Sequence, residues 1–242
     1  MIIVIPARYG SSRFPGKPLA TLAGKPMIQH VYENASKVKG CDGVYVATDD
    51  ERIKSAVAGF GGNAVMTSAE HVCGTDRVYE CVRKLDVEPE EVVINIQGDE
   101  PFLQASEVEK LAAVFADRKV QMASLMRCKQ LSEKNNPNEV KVVVDALGDA
   151  IYFSRCLIPY QRDEAIVKRR IHVGIYGYRA GFLSAFVKWP KSQLEEAESL
   201  EQLRAVENGI KIRMVEVDYE GLGIDTPEQL DQAERLIEDR LL

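Results

Sequence analysis

The sequence predicts an α/β fold, a mostly parallel central sheet with helices on both faces, and two observations carry that reading. In the first half, short apolar runs rich in β-branched residues (Ile2–Ile5, Val44–Ala47, Val92–Ile96) alternate with segments of helical character. Repeated βα units of this kind close into a parallel sheet covered on both sides. The chain also has the material for such a core, with 242 residues of which 45% are hydrophobic.

The elements follow in order. Ile2–Ile5 reads as a strand. Pro26–Lys39 reads as a helix with proline in its first turn. Strand Val44–Ala47 leads to helix Glu51–Ala58, which ends at Gly59, Gly61 and Gly62. After a short strand at Ala64–Met66, Thr75–Leu85 puts Val78, Val82 and Leu85 on one helical face. Strand Val92–Ile96 precedes a helix capped by Ser106 and reaching about Asp117. The second half changes character. Met122–Met126, Val140–Val144, Ile151–Phe153 and His172–Tyr178 read as strands with short or polar connections, and 145–149 as a hairpin turn. These strands predict antiparallel additions to the sheet. Asp163–Arg170 is a charged loop, Leu194–Asn208 is helical in up to two pieces, and Lys211–Val217 returns as a strand. Thr226 and Pro227 open the last helix as N-cap and N1. The simplest organisation is one domain over 1–242 with a β-rich subregion near 120–180.

Composition narrows the function. A net charge of −6 argues against a general nucleic-acid binder, whose surface is normally basic. No apolar run is long enough to span a membrane, and the first residues enter a strand without a secretory pattern, so a cytosolic location is expected. The five cysteines are scattered without a CxxC, and the three histidines lie far apart. Reduced thiols are expected, and any metal should be a hard cation on carboxylates.

Three loops carry candidate chemistry. The first strand runs into PARYGSSRFPGKP, where Arg8, Arg13 and Lys17 supply charge, and residues such as Gly10 and Ser11 let backbone N–H groups approach an anion. This is neither a Walker A loop nor GxGxxG, and taken alone it also fits a solvated surface loop. Asp99 follows strand Val92–Ile96 in NIQGDEP, beyond a carboxyl strand end where open parallel sheets bind ligands. It is placed for Mg²⁺, or for a plain turn. Asp225 lies in GLGIDTP, where Thr226 already serves as the helix cap, which frees Asp225 for a second role.

Together PARYGSSRFPGKPL, VATDD, GTDR, NIQGDEP, YFSR, HVGIYGYR, SLEQLR and GIDTPEQL, in this order from Ile2 to about Leu230, resemble the 3-deoxy-manno-octulosonate cytidylyltransferases, or CMP-Kdo synthetases. The resemblance implies a glycosyltransferase-A-like fold and transfer of CMP from CTP to Kdo with release of pyrophosphate, for lipopolysaccharide biosynthesis. It also implies a homodimer formed through the β-rich half. By the same resemblance Lys17 is the activating lysine, Arg8 and Arg13 are the phosphate arginines, and Asp99 and Asp225 hold Mg²⁺. The cytosine region falls on Gly74, Thr75 and Arg77 with Gln97 nearby. The sugar pocket falls on Arg155, His172, Tyr176, Glu201 and Gln202. One departure is Cys73, where the family usually has serine.

Around that pocket further expectations follow. At most one of Tyr176 and Tyr178 should reach sugar. Glu201 and Gln202 are expected in a helix beginning near Leu200, beside a solvated face of Glu195, Glu196 and Glu198. Lys168–Arg170 is expected to be a basic loop. An amino-substituted octulosonate or a sialic acid is the alternative substrate, and a nucleotide-binding module without turnover is the alternative class.

Overall fold

In the first strand, β1 (Ile2–Ala7), Ile3 and Ile5 face one buried cluster while Ile2 and Val4 face another. A strand buried on both sides needs layers above and below it, and the chain supplies them. The structure is a computed structural model that describes residues 1–10, 14–129, 136–162, 169–219 and 223–241. After β1 come a 3₁₀ turn (Lys17–Leu19) and a small hairpin, β2 (Thr21–Leu22) and β3 (Lys25–Pro26). Then follow α1 (Met27–Ala35), β4 (Gly43–Thr48), α2 (Glu51–Gly59), β5 (Asn63–Met66), α3 (Gly74–Lys84), β6 (Val92–Asn95) and α4 (Ala105–Ala113). The second half contains β7 (Met122–Lys129), β8 (Lys141–Val144), β9 (Ala150–Ser154), β10 (Arg169–Arg179), α5 (Ala180–Phe186), α6 (Gln193–Glu198), α7 (Leu203–Glu207), β11 (Ile212–Glu216) and α8 (Pro227–Leu241).

Among the described residues the main sheet has nine strands, in the order β11-β7-β10-β6-β1-β4-β5, with β8 and β9 extending antiparallel from β10. β1 pairs in parallel with β4 and β6, and only β10 runs against its neighbours β6 and β7 within the main path. One face is covered by Ile28 and Val31 of α1, Ile53 and Val57 of α2, and Val108 and Leu111 of α4. The other is covered by Val78 and Val82 of α3, Leu183 and Phe186 of α5, and Leu203 of α7. Strand order reverses beside β1: β4 and β5 extend one way, and β6 then returns to its other side. Such a switch point opens a crevice beyond the carboxyl ends of the strands.

Several element boundaries differ from expectation for local reasons. The first helix stops at Ala35, because Ser36 turns its hydroxyl back to Tyr32 O (2.8 Å) and the chain tightens to i+3 bonds at Lys37 and Val38. The fourth helix starts at Ala105, so Ser106 lies inside it and not at its cap. Arg169 and Arg170 do not belong to a loop; they open β10 and pair with Lys129 and Cys128. Residues 163–168 of the expected loop lie outside the described residues. The 145–149 turn is a hairpin as expected, with Asp145 accepting from Leu147 N and Asp149 N, both at 2.9 Å.

Two of the glutamates expected on a solvated face are engaged in the fold. Glu195 is paired bidentately with Arg204 at 2.6 and 2.7 Å, each side chain 8% exposed, and Arg204 stacks over Phe186. Glu198 accepts from Ser154 Oγ (2.6 Å) and Arg155 N (2.9 Å). Removing one member of a buried pair strands the other charge, at a cost of about 3–5 kcal/mol. Arg204→Ala is therefore expected to lower unfolding free energy by about that amount in urea denaturation; a loss no larger than that of an exposed ion pair would contradict this role.

Candidate active site

The crevice predicted by the switch point is present as a cleft of about 320 Å³. Its floor is formed by Pro6, Ala7 and Arg8 at the end of β1 and by Gln97, Gly98 and Asp99 after β6; Gly74 and Arg77 of α3 form one wall, and Lys17 and Asp225 close the other. Gly98 lets these two strand ends come together, since a Cβ there would meet Pro6 O at 3.1 Å. Gly16, at φ 73°, makes the left-handed turn that delivers Lys17, with its N–H donating to Tyr9 O at 2.9 Å.

Lys17 is the centre of the charged cluster. Its Nζ donates to Asp99 Oδ2 at 2.6 Å and to Asp225 Oδ1 at 3.0 Å. Positions separated by more than 200 residues thus meet at one point. The 224–229 segment is held there by its own capping. Gln229 accepts from Asp225 N (2.7 Å) and Thr226 N (3.1 Å), Thr226 Oγ1 accepts from Gln229 N (3.4 Å), and Ile224 N donates to Asp99 O (3.0 Å). With backbone groups satisfied by Thr226 and Gln229, the Asp225 carboxylate is directed to Lys17. Glu100, behind Asp99, is a further acid that the sequence did not single out. Burial pushes its carboxyl up to about 7, despite a 2.6 Å hydrogen bond from Tyr219 that favours the ionised form.

On the α3 side, Cys73 caps the helix as a serine would, its sulfur accepting from Asp76 N at 3.4 Å. Burial raises its thiol pKa strongly, so it is a neutral lining group. Thr75 donates to a Glu201 carboxylate oxygen. Arg77 lines the cleft, but its guanidinium is engaged by Thr67 Oγ1 (2.6 Å) and Asp49 Oδ2 (3.0 Å), which fixes the wall of the expected cytosine region. Gln97 donates to Asn95 at 3.4 Å. Arg8 and Gly10 stand exposed beyond β1, and Ser11 and Arg13 lie outside the described residues.

The expected sugar pocket divides into two groups. From the Thr75–Glu201 contact a ring series runs inward: Tyr176 is 5.9 Å from Tyr178 and 5.3 Å from His172, which is 5.2 Å from Phe153. Tyr176 and Tyr178 lie on the same strand face, as a two-residue repeat requires. Depth separates them, because Tyr178 is buried and Tyr176 only partly so. Glu201 and Gln202 occupy the turn between α6 and α7 rather than a helix, since Ser199 adopts a left-handed conformation and ends α6. Gln202 is buried, and its Nε2 has no hydrogen-bond partner among the described residues. Arg155 stands apart, its guanidinium donating to Glu198 O, Pro137 O and Ser199 O at 2.8–3.3 Å. In this structure it fastens the turn that carries Glu201 and is not directed into the cleft.

A strand-edge cleft with a lysine held between two carboxylates is suited to a phosphorylated substrate, and similarity to known proteins places the chain in the nucleotidyltransferase class. The sequence profile of the cytidylyltransferases matches residues 2–212, and the chain belongs to that family. The 3-deoxy-manno-octulosonate cytidylyltransferase of Thermodesulfovibrio yellowstonii is 49% identical over 98% of this chain and 97% of its own. The 8-amino-3,8-dideoxy-manno-octulosonate cytidylyltransferase of Shewanella sp. strain ANA-3 is 46% identical over 96% of each. A solved CMP:2-keto-3-deoxy-manno-octonic acid synthetase complexed with CTP superposes at a TM-score of 0.94 with 48% identity, covering 99% of this chain and 98% of that one. A 4-diphosphocytidyl-2C-methyl-D-erythritol synthase from Anaerococcus prevotii shares the fold, at 15% identity and a TM-score of 0.64. No helix among the described residues is long and apolar enough to cross a membrane.

Proposed function

We propose that the chain transfers CMP from CTP to 3-deoxy-manno-octulosonate, releasing pyrophosphate. The observation that carries this is the convergence of Lys17, Asp99 and Asp225 in the cleft, together with near full-length similarity to enzymes named for that reaction. The anomeric hydroxyl of the sugar attacks the α-phosphorus in line; a new P–O bond forms as the bond to pyrophosphate breaks. Both reactants are anions. Two unit charges about 4 Å apart repel by about 4 kcal/mol at an effective dielectric of about 20. The cleft offsets that repulsion with positive charge.

Asp99 and Asp225 fit a hard divalent cation: both carboxylates reach one point, and Mg²⁺ is commonly held by one or two carboxylates plus substrate oxygens. When bound there, Mg²⁺ supplies charge neutralisation and polarises the attacking hydroxyl. Lys17 neutralises charge building on the α-phosphate. Arg8 and Arg13 hold the triphosphate, with backbone N–H groups at Gly10 and Ser11. Gly74, Thr75, Arg77 and Gln97 shape the cytosine side. His172, Tyr176, Glu201 and Gln202 take the sugar hydroxyls, with Arg155 holding the Glu201 turn in place.

The 46%-identical Shewanella relative favours a second reading, the 8-amino sugar acid. Pyrophosphate release from CTP and Mg²⁺, measured with 3-deoxy-manno-octulosonate, its 8-amino analogue and a sialic acid, decides between them. Turnover with none of the three would overturn the proposal.

The working unit is a homodimer through the β-rich region. Leu147 (76% exposed), Ile151 (55%) and Tyr160 (87%) are large side chains left open there. Light scattering is expected to give twice the 27.0 kDa chain mass and Ile151→Glu to return a monomer; a monomeric native protein would contradict it.

A further inference from the structure

Ser124 is a fully buried hydroxyl in an apolar strand, and the cleft chemistry above does not use it. It stands where β10 bulges. Between Val173 and Tyr176 the β10 chain advances three residues while its β7 partner moves only from Leu125 to Ser124. The bulge turns two carbonyls towards one side chain. Ser124 Oγ is 2.8 Å from Ile175 O, 3.2 Å from Val173 O and 2.9 Å from His172 Nε2.

A hydroxyl has one hydrogen. If that hydrogen pointed at His172, both carbonyls would face oxygen lone pairs in a dry interior, which is costly. The hydrogen therefore goes to a carbonyl, and Oγ offers the ring only a lone pair. Nε2 must then carry the ring hydrogen, and Nδ1 is left as an acceptor. Among the described residues Nδ1 has no hydrogen-bond partner, and His172 is partly exposed. Its ring lies 5.3 Å from Tyr176, which in turn neighbours Glu201, the acceptor of the Thr75 hydroxyl. Burial also holds the imidazole neutral, with its pKa lowered to about 3.

We propose that Ser124 is a positioning residue that locks His172 as the Nε2–H tautomer, so that Nδ1 accepts a hydrogen bond from a hydroxyl of the sugar acid. The second half of this rests on the reading that the pocket takes a sugar acid. Nitrogen-15 NMR of histidine-labelled protein, with His172 assigned by loss of its signals in His172→Gln, reads the tautomer without any substrate. The native protein is expected to show one neutral form, pyrrole-like at Nε2 and pyridine-like at Nδ1. Ser124→Ala is expected to give a mixed tautomer and a KM for 3-deoxy-manno-octulosonate raised about three- to tenfold, the worth of one neutral hydrogen bond, with KM for CTP unchanged. Ser124→Thr, which keeps the hydroxyl, should restore both. A native Nδ1–H or mixed tautomer overturns the proposal, as does a pure Nε2–H form in Ser124→Ala. If the tautomer is as stated but neither Ser124→Ala nor His172→Gln moves the sugar KM in an enzyme that turns over, the ring does not reach the substrate and the acceptor role is overturned. Absence of turnover with any sugar acid would instead overturn the reading of the reaction.

Discussion

Replacing Lys17 with methionine is expected to lower kcat on the order of 10³-fold while changing KM for CTP only a few-fold. Methionine keeps the length and much of the apolar stem and removes the charge. The magnitude is an upper bound that holds if Lys17, in its proposed role, offsets most of the repulsion, since about 4 kcal/mol between two anions, converted to rate, is roughly three powers of ten. The ammonium already sits within 3.0 Å of both carboxylates, so its charge is fixed at the cleft before substrate arrives. Its larger benefit should come when charge builds on the phosphorus, which places the loss in kcat. Steady-state kinetics, with circular dichroism to confirm the fold, measures the split. A loss confined to KM would reduce Lys17 to a binding residue.

Asp99→Asn and Asp225→Asn are each expected to cut turnover by at least about 10²-fold, since even the partners that only orient metal ligands are worth about 10–100-fold. Each should also weaken Mg²⁺ binding measured by calorimetry. If both side chains serve one ion, as proposed, the double variant falls far short of the product of the single losses. Near-normal turnover of either variant at saturating Mg²⁺ would remove that residue from the metal site, and multiplicative losses would argue for two independent roles.

The parts of the fold legible in the sequence were those set by local pattern. Ile2–Ile5 and Val92–Ile96 are apolar on both faces, so their place at the centre of a parallel sheet followed directly. The cleft followed from what comes after them: cations beyond one strand and Asp99 beyond the other. Asp225 was readable because Thr226 stood ready to cap the helix. Long-range partners were not readable. Glu195 and Glu198 look like a solvated helix face until Arg204 folds back on one and Ser154 crosses from another strand to the other. The fastening role of Arg155 depends in the same way on carbonyls at 137, 198 and 199. Glu100 was hidden by its neighbour, being one more acid in a turn until Tyr219 arrives 119 positions later. Two finer signals do stand in the sequence. Ser124 is the lone hydroxyl in MASLM, and a single polar residue in a buried strand calls for a partner. Tyr176 and Tyr178 are two residues apart on a strand, so they share a face, and only depth could separate them.

The proposed catalysis rests on one divalent ion shared by Asp99 and Asp225, next to the lysine delivered by the first loop. A crystal of the protein grown with CTP, Mg²⁺ and 3-deoxy-manno-octulosonate tests this directly. The expected result is an ion about 2.1 Å from carboxylate oxygens of both Asp99 and Asp225, also bound to an α-phosphate oxygen, with Lys17 at the same phosphate. An ion held elsewhere, or a triphosphate seated away from these three side chains, would contradict it.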